Sequence, residues 1–415
     1  MASVLLYLGV AVAVFVGFNI GGSSTGVAFG PAVGSDVLSK VSAAALMSGF
    51  ALLGGATLGR GVIRTLGGRV VAASHFNLVA GVVVLFFVGL ALLVSNLFGV
   101  PASTSMTAVG AIAGMGAAGG FLKWEKIGEI VSWWLVSPIL AFWTCAVVGR
   151  YLYPHLAARF RIERSSGPVL DWRDAPVGSV PVGPADGTTR SELFWNGLVV
   201  AIGCYMAFSA GASNVANAVA PLYGAGALGG ELLPYVAIGA GALAVGSFTI
   251  ARRTLDTVGN DLTDLPLLAA LVVEVVSASL VGFLSHIDIP ASLAVSATMS
   301  IVGLGWGRAS RSTTVTEVAQ AAIAGESADR KTPEPVANGS GRRRSDEDVG
   351  ETARSSGGGG GIEEVAPIGE DSDESTSDLF DPAATARVVF LWILTPSLSG
   401  TASYLLFTAF PVYAP

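Results

Sequence analysis

The 415-residue chain is 52% hydrophobic and only 13% charged, with a mean hydropathy of +0.65. Soluble domains carry about a quarter charged residues, so the composition excludes one and points to an all-α polytopic membrane protein. A net charge of −7, two cysteines and three histidines without ligand spacing exclude a nucleic-acid binder by bulk charge, a disulfide scaffold and a metal centre.

The first apolar segment lacks a basic leader and runs directly into "GGSSTGVAFGPAVGS" (Gly21 to Ser35), so it reads as a retained span. Crossing a bilayer as helix takes about 20 apolar residues. Runs of that kind follow at Val70 to Phe98, Ile127 to Gly149, Leu193 to Phe208, Tyr235 to Ile250, Leu265 to Leu284 and Val388 to Phe410. Cys145 and Cys204 lie inside such runs and read as small packing residues. Trp124, Trp133 and Trp134 suit a belt at the lipid interface. The hydrophilic stretch 154–190 reads as a linker. The stretch 311–385, rich in Gly, Ser, Asp and Glu and containing "GGGGG", cannot bury a core and is predicted to be disordered. Its "RRR" at Arg342 is followed at once by acid, so no nucleic-acid role is assigned to it.

The chain contains itself twice. At an offset of about 190 residues, Gly21 to Ser35 answers "GASNVANAVAPLYGAGAL" (Gly211 to Leu228). "RTLGG" (Arg64 to Gly68) answers "DTVGN" (Asp256 to Asn260), and "GVPASTSMTAVGAIAGMG" (Gly99 to Gly116) answers "DIPASLAVSATMSIVGLG" (Asp288 to Gly305). "WLVSP" (Trp134 to Pro138) answers "WILTP" (Trp392 to Pro396) at a larger offset, created by the inserted stretch. The expected organisation is a first membrane repeat at 1–153, a cytoplasmic linker at 154–190, a second repeat at 191–310, an acidic cytoplasmic insertion at 311–385 and a final helix at 386–415. If each copy crosses an odd number of times, the two are inverted relative to one another. With the N-terminus outside, the positive-inside bias groups the loop of Arg60, Arg64 and Arg69 with the central linker and the insertion as cytoplasmic; Lys123 and Lys126 then fall outside.

Each copy carries two small, polar segments at membrane depth, one of the "GASNVANA" type and one of the "PASTS" type. Proline and glycine are expected to break the helix at both, giving discontinuous helices and re-entrant hairpins whose N-termini supply N–H donors and partial positive charge. Hydroxyls of Ser103, Thr104 and Ser105 add donors without bulk, which suits a tetrahedral oxyanion. Ser213, Asn214 and Asn217 offer amide and hydroxyl oxygens to the anion or to a small hard cation. The alternative use of such residues is close helix packing in lipid. Glu274 lies inside an apolar run and is a candidate for carrying a coupling proton.

At these residues the sequence resembles the PiT inorganic phosphate transporters, whose members carry GANDVANA-like and P-x-S-T-T-H-like segments once in each half. The resemblance covers nearly the whole chain outside the two hydrophilic stretches. It implies a helical fold of two inverted repeats with re-entrant hairpins and a central site for one anion with one or more Na⁺ ions, and it does not imply an enzyme; no cofactor is expected beyond the coupling ion, Na⁺ or, with Glu274 as carrier, H⁺. In the second half Ser213 stands where asparagine is usual. In the first half the corresponding positions are Ser23, Ser24 and Val27, with no carboxylate or amide. Pro101-Ala-Ser-Thr-Ser is intact apart from Met106 for the usual histidine, whereas Pro290-Ala-Ser292-Leu-Ala retains one hydroxyl. Substrate contacts are therefore expected from Ser23, Ser24, Ser103, Thr104, Ser105, Ser213, Asn214, Asn217 and Ser292, and cation coupling from Asn214, Asn217 and Glu274. The expected function is phosphate import at the plasma membrane by Na⁺ symport. Loss of the aspartate leaves open a proton-driven sulfate permease and a non-transporting sensor. The expected partners are an oxyanion, the coupling ion and lipid; the sequence allows a homo-oligomer and sets no oligomeric state.

Overall fold

Near-continuous apolar runs with capping residues at their starts produce long helices in a computed structural model, which describes residues 2–97, 103–159, 170–175, 178–184, 189–251, 266–312 and 382–413. Helix α1 spans Ala2–Gly34. Ser39 caps α2, Lys40–Ala56, by accepting from the Ser42 amide, and α3, Gly59–Arg64, continues into a wide turn at Thr65–Arg69. The α2 and α3 axes differ by 62° across a break at Thr57 and Leu58. Helices α4, Leu78–Leu97, and α5, Thr104–Gly119, follow, α5 capped by Ser103 and ended by the left-handed Gly120. Next come α6, Trp124–Val147, and α7, Tyr153–Arg159, then an antiparallel hairpin of β1, Leu170–Ala175, and β2, Gly178–Pro184. Thr189 and Glu192 form a capping box that starts α8, Arg190–Gly224. Helices α9, Leu232–Thr249, α10, Leu267–His286, α11, Leu293–Ser312, and α12, Pro382–Ala409, complete the described chain. Six of these helices are long and apolar enough to cross a membrane, or seven if α2 and α3 count as one span. The predicted disorder of 311–385 falls almost wholly outside the described residues, as do Pro101, Arg252, Arg253 and the DTVGN segment.

Glycine sets how closely the helices meet. A Cβ at Gly21 of α1 would overlap the Leu243 carbonyl of α9, and one at Gly114 of α5 would overlap the Gly400 carbonyl of α12. Gly54 of α2 and Gly211 of α8 play the same part for that pair, against Phe208 and Ala51. In lipid, where apolar surface gains little from association, such backbone approach is a main source of helix packing.

These contacts give each helix a direction relative to α8. Gly9 of α1 meets Leu222 while Ala28 and Phe29 meet Gly203, so α1 is antiparallel to α8. Gly54 meets Phe208 and Gly67 meets Ala220 and Tyr223, so the bent α2–α3 pair runs parallel to it. The Lys123 amide donates to the Val70 carbonyl at 3.0 Å, and Val71 bridges to Leu122. Thus α4 and α5 form one hairpin that leaves and returns near the C-terminal end of α8, where Gly81 packs on Pro221. A second hairpin, α10 and α11, has its base beside the end of α6: Gly149 packs on Leu304, and Arg150 Nη1 donates to the Ser310 carbonyl at 2.6 Å.

Two expectations change. The "GASNVANA" segment does not break its helix: α8 and its counterpart α1 run through it uninterrupted. The discontinuities lie instead between α2 and α3 and at the hairpin tips. Secondly, Arg64 and Arg69 do not share a face with the central linker. Their segment ends beside Tyr223 and Gly224, at the opposite end of α8 from Arg190, and Lys123 joins them by donating to the Gly68 carbonyl at 3.4 Å. The apolar run at Val70 reads as a crossing by length, but the chain returns to its starting point.

Candidate functional site

In the middle of α8, Ser213, Asn214 and Asn217 project from neighbouring turns and are all buried. Both hairpin tips and α1 converge on them. From the first tip, Thr104 Oγ1 donates to Asn214 Oδ1 at 2.8 Å, and Asn217 Nδ2 donates to Thr104 Oγ1 at 3.2 Å and to Ser105 Oγ at 3.0 Å. From the second, the Ala291 carbonyl accepts from Ser105 Oγ at 2.6 Å and from Ser213 Oγ at 2.7 Å. The Ala291 amide donates back to Ser213 Oγ at 3.3 Å, and the Ser105 and Ser213 hydroxyls are 2.9 Å apart. From α1, Ser24 Oγ accepts from Asn214 Nδ2 at 3.0 Å.

The structure thus gathers the buried Ser24, Ser105, Ser213, Asn214 and Asn217 and the half-buried Thr104 into one cluster, in which Ser24 and Asn214, joined by a hydrogen bond, are 190 residues apart. Ser23 lies aside and bonds back to the Ile20 carbonyl of its own helix. Ser103 and Ser292 serve the helix starts: Ser103 Oγ accepts from the Met106 amide, and Ser292 Oγ from the Val295 amide, each at 3.3 Å. Glu274 is buried in α10, its Oε1 without a partner among the described residues, and no hydrogen bond joins it to the cluster.

Two participants escape a residue-type search. The Ala291 carbonyl is backbone, and only the preceding Pro290 signals that it is exposed from a helix. Trp134, expected at the lipid interface, donates its indole N–H to the Pro290 carbonyl at 2.8 Å and braces the second tip. Arg69 holds the same tip from another direction, with Nη1 2.6 Å from Asp288 Oδ2. A Cβ at Gly61 would overlap that carboxylate, so glycine there is what lets Asp288 lie against α3.

The six clustered side chains carry no formal charge. Electrostatics comes from the helix starts: Thr104 and Ser105 open α5 and Ala291 lies just before α11, so two partial positive charges flank one patch of α8. Unpaired N–H groups at such starts bind anions. The Asn217 Oδ1 acceptor is buried without a partner among the described residues, an arrangement that costs about 1–3 kcal/mol unless a ligand meets it. No group of three or more metal-ligating residues occurs among the described residues, and both cysteines are free and buried.

Comparison with known proteins follows the same lines. Residues 20–326 match the model of the phosphate transporter family. The sulfate permease CysP of Bacillus subtilis is 28% identical over 295 residues, covering 71% of this chain and 75% of that protein. Sodium-dependent phosphate transporter 2 of Bos taurus is 30% identical over 178 residues, 38% of this chain and 27% of its own length. Sodium-dependent phosphate transporter 1 of Homo sapiens is 33% identical over 35% of this chain and 21% of its own. The chain therefore spans about a quarter of these two mammalian relatives. A solved structure described as the sodium-dependent phosphate transporter superposes with a TM-score of 0.63 over 98% of this chain and 100% of that one; at 16% identity the likeness is one of fold. The match over most of its length makes the chain a member of the phosphate transporter family, a multi-pass membrane protein in a family of transporters rather than enzymes.

Proposed function

We propose that this protein imports inorganic phosphate as a cation-coupled secondary transporter working by alternating access, with Na⁺ as the coupling ion. The observation that carries the reading is the convergence of two hairpin tips, each opening a helix, on the buried Ser213, Asn214 and Asn217 patch. Hydroxyls, amides and helix starts arriving from several directions match an ion that accepts hydrogen bonds on every face. In this reading the halves 1–153 and 191–415 are inverted repeats. Each contributes a long helix, a shorter one after it, a hairpin and a closing helix, with the hairpins entering from opposite ends of α8. Ser24, Ser103, Thr104, Ser105, Ser213, Asn214, Asn217 and Ser292 form or support the substrate site. The N-terminus lies outside the plasma membrane and the acidic insertion in the cytoplasm.

A second reading, a proton-driven sulfate permease, draws on the likeness to the Bacillus subtilis protein and on the lack of a carboxylate in the cluster, with Glu274 carrying the proton. Radiolabelled phosphate uptake into vesicles holding the purified protein, with Na⁺ and pH gradients imposed separately and sulfate as competitor, tests both. Uptake that follows Na⁺ and ignores sulfate is expected. Flux that follows pH and yields to sulfate supports the second reading, and no flux under either gradient removes both.

A further inference from the structure

The orientation of one amide in the cluster follows from proton accounting. Ser105 Oγ lies 2.6 Å from the Ala291 carbonyl, and a carbonyl cannot donate, so the single hydroxyl hydrogen of Ser105 is spent there. Toward Asn217, 3.0 Å away, Ser105 is then an acceptor only. That turns the Asn217 NH₂ toward Ser105 and toward Thr104 at 3.2 Å, and directs Oδ1 away from both. The side chain is fully buried, and Oδ1 has no partner among the described residues. An acceptor so placed calls for a donor.

A cation suits the position poorly. Thr104 and Ser105 are the first two residues of α5, so Asn217 sits at a helix start whose partial positive charge repels cations and attracts anions. The same amide also presents N–H groups, which a cation avoids. An anion that carries its own hydrogen satisfies both halves of the arrangement: its bare oxygens meet the helix starts, and its O–H meets Oδ1. Hydrogen phosphate and dihydrogen phosphate each have such an O–H at neutral pH, and sulfate has none.

We infer that Asn217 Oδ1 accepts the hydrogen of a protonated tetrahedral oxyanion, making Asn217 the residue that separates phosphate-type from sulfate-type anions. The inference rests on the reading of this cluster as an oxyanion site and adds the means of selection. Against sulfate, Oδ1 faces an oxygen lone pair with no hydrogen between them, and a buried hydrogen bond unmade in this way is worth roughly a 10- to 100-fold loss of affinity.

Equilibrium binding to the purified wild-type protein, with phosphate, arsenate, sulfate and selenate as probes, needs no substitution. Phosphate and arsenate carry the O–H; sulfate and selenate match them in shape and lack it. The first pair is expected to bind at least about ten-fold more tightly than the second. Equal binding of the two pairs, or preference for sulfate, overturns the inference while leaving the oxyanion site in place. No binding of any of the four removes the site reading itself. In Asn217→Ala the two pairs are expected to converge to within about three-fold, because the discriminating acceptor is gone while the helix starts remain. A preserved preference in that variant assigns selection elsewhere and also overturns the inference.

Discussion

Thr104 and Asn214 are 110 residues apart in the chain, yet the hydroxyl of one donates to the amide oxygen of the other at 2.8 Å. Together with the bonds from Ser105 and Ser24, it pins a hairpin tip and α1 to a single turn of α8. Perturbing that turn is expected to act on substrate handling more than on assembly, since it leaves the glycine contacts between the helices in place.

Asn217→Leu is expected to abolish phosphate uptake in reconstituted vesicles while the protein still purifies as a monodisperse species. The substitution removes both amide bonds to the first tip and fills the cluster with a branched side chain. Uptake at the wild-type rate in this variant removes Asn217 from the mechanism.

Ser105→Ala takes a hydrogen bond from the Ala291 carbonyl and an acceptor from Asn217. Ser213 still reaches that carbonyl, so the cost in stability is expected to be about 1–2 kcal/mol, read as a lowered thermal unfolding midpoint. Uptake is expected to fall further than that midpoint suggests, because the same hydroxyl joins both tips.

Gly21→Ala and Gly241→Ala form a matched pair. The first places a methyl group into the Leu243 carbonyl, and the second meets open space. Gly21→Ala is expected to cost about 1–3 kcal/mol by forcing α1 and α9 apart, with loss of monodispersity on size exclusion. Gly241→Ala is expected to behave as wild type. Equal behaviour of the two variants would show that the α1–α9 approach is not set by glycine.

Replacing 326–378 by a short Gly/Ser loop is expected to leave uptake unchanged, since closing a flexible loop costs little more when it is long than when it is short. A transport-dead truncation would give the acidic stretch a role beyond joining α11 to α12.

The polar segments were legible because Ser, Asn and Thr stand out in an apolar chain, and their duplication marked which ones to weigh. Their neighbours misled. Gly211 reads as a helix breaker, but in α8 it lets Ala51 of α2 approach, and the helix continues through it. The face assigned to Arg64 and Arg69 depended on counting crossings. Hydropathy alone cannot distinguish an apolar run that traverses from one that turns back at its tip. The Val70 to Lys123 contact that settles this is made by backbone atoms and leaves no mark on composition. The same holds for the Ala291 carbonyl. Trp134 fitted a lipid belt by type and instead reaches the second tip, a placement fixed by the direction α6 faces.

Because α8 passes through the cluster without a break, the protein is divided into a spine and two arms. In this structure the spine stays helical through the cluster. At the cluster the tips meet it through side chains and through the carbonyl and amide of Ala291, contacts that in the proposed reading are exchanged for those of a bound ion without unwinding a turn. If the protein works by alternating access, as proposed, the motion is expected to fall to the tips, on an energetic scale of a few buried hydrogen bonds rather than of secondary structure.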